Sequence, residues 1–197
     1  MGVSVNVASS IRFIGRNTTQ NNGIRGIQVM TNTSVTFDQA TMPDNSIGVT
    51  TIEGHTQFGL SVSGSSDLYL MGPHKIRNNG SWPENPDSSG ITMARATTHL
   101  GVGAEISNNN GYGIKAGQGA RIRLSNPNWA AVLIANNAAE GLRLMNLASV
   151  RVDGPTTIQG NGVANISCDD SAWLFGDLTG TAGIVCKNVL TDEGKKK

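Results

Sequence analysis

Charge is scarce in this chain. Asp, Glu, Lys and Arg together make up 15% of its 197 residues, and 15 basic against 14 acidic side chains leave a formal net charge of +1. That balance supplies no long-range field toward nucleic acid or an acidic membrane surface, so neither is expected as a partner. Apolar runs are short, and none approaches the roughly 20 residues that a membrane-spanning helix needs. Aromatics are few, at 5%, and helix-forming Glu and Lys are sparse beside Gly, Asn, Ser and Thr, which favours strands and turns over helices. The opening MGVSVNVASS lacks the basic flank and apolar stretch of a signal peptide. Either the protein is cytosolic or a leader has been removed.

What is present is a repeat. Aligned on a glycine followed by alternating residues, the chain reads GVSV from Gly2, GIQV from Gly26, GLSV from Gly59, GITM from Gly90, GIKA from Gly113 and GLRL from Gly141, continued by NISC from Asn165 and GIVC from Gly183. The first and third residues after each anchor are apolar, and those between are nearly all polar. This is the period of a strand with one buried face. A second strand follows about nine residues after the anchor: SIRF, SVTF, DLYL, THL, RIRL and SVRV. A third segment carries one Ile before small polar residues, at Ile52, Ile76, Ile106, Ile134 and Ile158. Strands this short cannot bury their apolar side alone, whereas stacked coils bury it continuously and pair every backbone in parallel ladders.

The pattern predicts an all-β fold, a right-handed single-stranded parallel β-helix of about seven coils over residues 1–189, with 190–197 as a flexible charged tail. Asn tolerates the left-handed backbone of a tight corner. The equivalent Asn78, Asn108 and Asn136, two residues after each Ile, are expected to stack as a ladder of amides. The repeat resembles the right-handed parallel β-helix proteins of the pectate-lyase-like superfold. That resemblance implies a rod-shaped solenoid and a choice among lyases, hydrolases, tailspikes and non-enzymatic surface proteins, without selecting one.

Two cysteines, Cys168 and Cys186, hold the same inward position in successive coils, near enough for a bridge. A disulfide would imply a secreted or periplasmic protein; two buried thiols would suit the cytoplasm. The first coil begins inside the pattern at Val3, so self-association through the end formed by Val3, Val5, Ile11 and Phe13 is expected.

No catalytic set emerges. The superfold's polygalacturonases carry an Asn-Thr-Asp motif, an acidic pair, Gly-His-Gly and Arg-Ile-Lys in that order; here EGH (53–55), RIR (121–123) and DD (169–170) follow a different order and the first motif is missing. Asp38, Asp67 and Asp153 lie on coils too far apart to share a calcium ion. His55, His74 and His99 lack metal-ligand spacing, and His74, within GPHK, reads as a loop residue. No cofactor, metal or catalytic residue is therefore assigned. Binding residues are easier to nominate. Trp82 and Trp129 sit in Pro- and Asn-rich insertions and offer apolar surface to a sugar ring. Lys115, Arg121, Arg123, Arg143 and Arg151 cluster on outward positions of neighbouring coils, which suits an anionic polysaccharide or, with Asp153 and Glu140 as counter-charges, an ordinary solvated face. The leading expectation is a non-catalytic carbohydrate-binding module; a polysaccharide lyase or hydrolase and a purely structural solenoid stand beside it.

Overall fold

In the computed structural model, which describes residues 2–81, 87–101, 103–124 and 131–190, the chain winds as a parallel β-helix. Among the described residues, a first sheet stacks eight strands from Val3–Asn6 to Ile184–Val185. A second stacks eight from Ser10–Ile14 to Val189–Leu190, and a third stacks six from Thr18–Gln20 to Thr156–Gln159. Up to Thr156–Gln159 each turn of the chain adds one strand to each sheet, and the strands after Gln159 join only the first and second, all in parallel register and in the right-handed sense that crossover connections adopt. Trp82, Trp129 and the tail segment 191–197 lie outside the described residues.

Alternation decides which side chains meet. Ile27, Leu60, Ile91, Ile114, Leu142 and Ile166 form one file under the first sheet, each exposed by no more than 1%. Register pairs them directly, Leu60 with Ile91 and Ile114 with Leu142. Matching files run under the second sheet (Val35, Leu68, Ile122, Val150, Leu174) and the third (Ile52, Ile76, Ile106, Ile134, Ile158). Burying one such side chain contributes about 2 kcal/mol, so stability accumulates rung by rung. Thr98 takes an inward place in the second sheet, fully buried, with no partner for its hydroxyl. The first rung is less covered: Val3, Ile11 and Phe13 are only partly buried, although Phe13 stacks on Phe37 at 4.7 Å. At the other end, a disulfide joins Cys168 to Cys186 across a Cα separation of 4.7 Å and ties the short last rung to its neighbour.

The amide ladder exists, one residue away from its expected place. Asn78, Asn108 and Asn136 do not stack; they carry the left-handed backbone of the corner, with φ of 55°, 53° and 55°. The ladder runs through the next residue. The Nδ2 of Asn79 donates to Oδ1 of Asn109 (3.0 Å), Asn109 donates to Asn137 (2.9 Å) and Asn137 to Asn161 (2.9 Å). Each Oδ1 also accepts the backbone N–H of the preceding ladder residue, as Asn109 does from Asn79 at 3.1 Å. The physical reason is division of labour: the αL residue bends the chain outward, and the residue after it is aimed back inside. His55 occupies the same slot one rung earlier, its backbone N–H donating to Oδ1 of Asn79 (3.2 Å).

This ladder explains the anchor glycines. A Cβ on Gly113 would lie 2.6 Å from the carbonyl oxygen of Gly141 and 2.8 Å from Nδ2 of Asn137. Gly59, Gly90 and Gly141 meet Asn79, Asn109 and Asn161 in the same way. At these four positions Gly is present because the next rung's amide fills the side-chain space, not because the backbone needs positive φ.

Two substitutions at neighbouring positions separate ladder from corner. Asn109→Ala strips partners from four buried groups and is expected to lower unfolding free energy by roughly 3 kcal/mol or more in urea titrations. Asn108→Gly keeps the left-handed corner and should stay within about 0.5 kcal/mol of wild type. Gly113→Ala should cost more than about 2 kcal/mol, since the atoms it meets include backbone.

Candidate functional site

The three outer faces differ in how their polar groups are satisfied. On the third sheet, charges cancel between rungs: Arg77 pairs with Glu53 at 2.8 Å and Lys75 with Glu105 at 3.9 Å. On the first sheet lie Lys115 and Arg143, two of the five cations grouped by the sequence pattern. Lys115 is paired with Asp87 and sits 5.3 Å over the ring of Tyr112. Arg143 donates to Oγ of Ser167 (2.9 Å), whose hydroxyl donates to Glu140 (2.9 Å). Both cations are engaged within the protein.

Arg121, Arg123 and Arg151 belong to the second sheet. The structure therefore divides the expected basic cluster between two faces, because Lys115 and Arg143 precede the corner that separates the sheets. On the second sheet the outward residues form a file in direct register: Tyr69, His99, Arg123, Arg151 and Phe175. A neighbouring file carries Thr97, Arg121, Ser149 and Trp173. Rings flank the guanidiniums on both sides. Tyr69 and His99 stack at 4.8 Å with planes 11° apart, and Trp173 and Phe175 lie at 6.0 Å and 14°. Trp173 is 37% exposed. A shallow depression of about 520 Å³ spans this face from Thr97 and His99 past the three arginines to Phe175. It shares Thr97 and Arg121 with a second, of about 330 Å³, which reaches the corner at Ser65, Arg95 and Gln118.

The electrostatics of the face are uneven. Arg123 and Arg151 both reach the Asp153 carboxylate, each through Nε at 2.5 Å. Burial pulls the Asp153 carboxyl upward, but the hydrogen bonds from Arg151 and Arg123 outweigh it and hold it below the ordinary range. One carboxylate thus serves two guanidiniums. Arg121 and Arg95 have no acidic partner among the described residues. Burial and the Arg123 charge push His99 below the usual imidazole value against the pull of Asp67, so it faces solvent neutral at pH 7. The net result is a positive strip bordered by flat rings.

Trp173, Phe175 and Arg95 were not among the residues nominated from sequence. The first two were legible in principle: extending the register one rung past SVRV places WLFG on the same strand position. Arg95 was not, since it occupies a corner with φ of 52° and reaches this face only through the winding. No family model matches the chain, and no curated protein aligns with it significantly. The fold alone does not choose an activity.

Asp153→Asn is expected to cost about 1 kcal/mol at pH 7, a modest sum because both guanidiniums remain largely hydrated. The sign of its pH dependence follows from the depressed carboxyl: as pH falls below about 4 the unfolded chain protonates first, so this contribution is present above that pH and lost beneath it. Denaturant midpoints measured from pH 5 to pH 2 should fall less steeply in the variant than in the wild type.

Proposed function

We propose that the protein is a non-catalytic β-helix module that binds polysaccharide along the outer face of its second sheet. The observation that carries this reading is the file Tyr69, His99, Arg123, Arg151 and Phe175, with Arg121 and Trp173 beside it. Sugar rings present apolar C–H faces that suit flat aromatic surfaces, while their hydroxyl and carboxylate oxygens accept from guanidinium N–H groups. Rungs at ~4.8 Å spacing offer a repeating polymer a repeating set of contacts. The uncompensated Arg121 and Arg95 favour sugars that bear carboxylate or sulfate. Asp153 is held ionised between two arginines and is a poor proton donor, which supports binding without chemistry. The Cys168–Cys186 disulfide supports an oxidising location, secreted or periplasmic.

Affinity electrophoresis through gels holding a polyuronate, a sulfated polysaccharide or a neutral glucan tests the reading. Retardation is expected in the acidic gels. Trp173→Ala and Arg121→Ala should each weaken it at least about tenfold, near 1.4 kcal/mol, and Lys115→Ala, on a different sheet, should leave it unchanged. Retardation that survives both substitutions would remove this face as the site. Trp82→Ala and Trp129→Ala report on the insertions that carry them. Release of unsaturated or reducing sugars would establish a lyase or hydrolase instead, and absence of retardation by every polymer would leave a structural solenoid.

A further inference from the structure

Between the second-sheet strand Ser34–Asp38 and the third-sheet strand Thr51–Glu53, the chain makes an excursion over residues 39–49. It is a small finger held together by its own bonds. Thr41 and Ile47 form an antiparallel bridge, Met42 N donates to Ser46 O (2.8 Å) and Gly48 N to Ala40 O (2.8 Å). Thr41, Pro43, Asp44, Asn45 and Ile47 are exposed. Across its root lies His74, a loop residue as GPHK suggests, yet only 1% exposed. Its Nε2 stands 3.0 Å from the Phe37 carbonyl oxygen, just before the finger. Its Nδ1 stands 3.2 Å from the backbone nitrogen of Thr50, just after it. A carbonyl oxygen only accepts and an amide N–H only donates. Both bonds therefore require one protonation state, a neutral ring with its proton on Nε2.

We propose that His74 is a pH-sensitive latch that closes the root of the 39–49 finger when neutral and releases it when protonated. Protonation replaces the Nδ1 lone pair with an N–H, so the buried Thr50 amide loses its acceptor and faces another donor. The Phe37 bond survives, so the root loses one of its two imidazole bonds, while Lys75 N–H still donates to the Thr50 carbonyl (2.9 Å) and Asn17 Nδ2 to Thr50 Oγ1 (3.3 Å). Burial pushes the ring below the usual imidazole range, while the Phe37 carbonyl and the Asp38 charge pull it back. The other charged groups nearby are already engaged. Asp38 is paired with Arg12, Lys75 with Glu105, and Asp44 in the finger with Ser46. Arg16 Nη2 donates to Ser46 Oγ at 3.3 Å, and Gly48 lies against the backbone of Gly15; neither contact titrates between pH 5 and 8, so both remain as a hinge. With the folded value below the unfolded value of about 6.5, the unfolded chain takes the proton first. The latch is intact above that pH and fails progressively beneath it. This inference does not rest on the carbohydrate reading, since the finger and the second-sheet strip are read out separately.

The test is an NMR titration of the whole chain from pH 7.5 to pH 5, following the His74 ring nitrogens and the exchange of the Thr50 amide corrected for its intrinsic rate. The expected result is an Nε2–H tautomer at pH 7.5, titration below 6.5, and an increase of at least about tenfold in Thr50 exchange on acidification. The ladder amides of Asn109 and Asn137 should remain protected. A proton on Nδ1 at pH 7.5, titration at or above 6.5, or corrected Thr50 exchange that does not change with pH would each overturn the proposal. His74→Gln keeps a donor and an acceptor but cannot titrate, and should hold Thr50 protected throughout. Acid-triggered exchange in that variant would assign the switch to another group and overturn the proposal. The wild-type titration decides the matter by itself if the variant does not fold.

Discussion

The close approach of one rung to the next governs this protein. Asn137 places its side-chain amide where a Cβ on Gly113 would be, donates to Asn161 and accepts from Asn109. That contact sets vertical spacing and lateral register together. A rung displaced along its strand by one residue would bring a Cβ onto the amide and turn the inward file outward. The parallel backbone ladders and the apolar files follow from the same stacking, so the core and the corner chemistry are satisfied by one arrangement. Buried polar groups of this kind are costly unless fully paired, and here each ladder side chain from Asn79 to Asn137 is bonded on both sides.

A rod built in this way turns outward positions into straight files, and what faces what is decided by the rung above and below. On the third sheet the files alternate in sign and neutralise themselves. On the first sheet Lys115 and Arg143 find partners from an adjoining loop and corner. On the second sheet two guanidiniums share Asp153 while rings stack at either side. The candidate site lies there because Arg121 and Arg95 have no acidic partner among the described residues and flat surface lies next to them. The same rod also carries a finger at the corner between its second and third sheets, and that corner is closed by a buried imidazole in place of an apolar side chain.

Much of this was legible in the chain itself. The inward pairs following Gly26, Gly59, Gly90, Gly113 and Gly141 were readable because a strand's period is two and a miscounted residue would expose an aliphatic side chain. The facing of Cys168 and Cys186 followed from the same count. The ladder was placed one residue early, at Asn78, Asn108 and Asn136, since consecutive asparagines look alike in sequence and only backbone geometry tells the αL residue from the one aimed inward. The candidate strip was half readable. Arg121, Arg123 and Arg151 share a strand period, but Lys115 and Arg143 look equally close until the corner sends them to another sheet. Trp173 and Phe175 were hidden by a repeat that weakens toward its last rungs.

Alternation and the recurring glycine determined by themselves that the chain coils and which aliphatic residues line its interior, because those properties depend on local periodicity and on burial. Only the tertiary structure decided which amide stacks, which arginines share a carboxylate, and that His74 spans Phe37 and Thr50. The physical reason is distance along the chain. Apart from Arg151 and Asp153, which are two residues apart, those partners stand some 24 to 37 residues apart and meet only because variable loops bring each rung back into register, and no local pattern records where a loop will return.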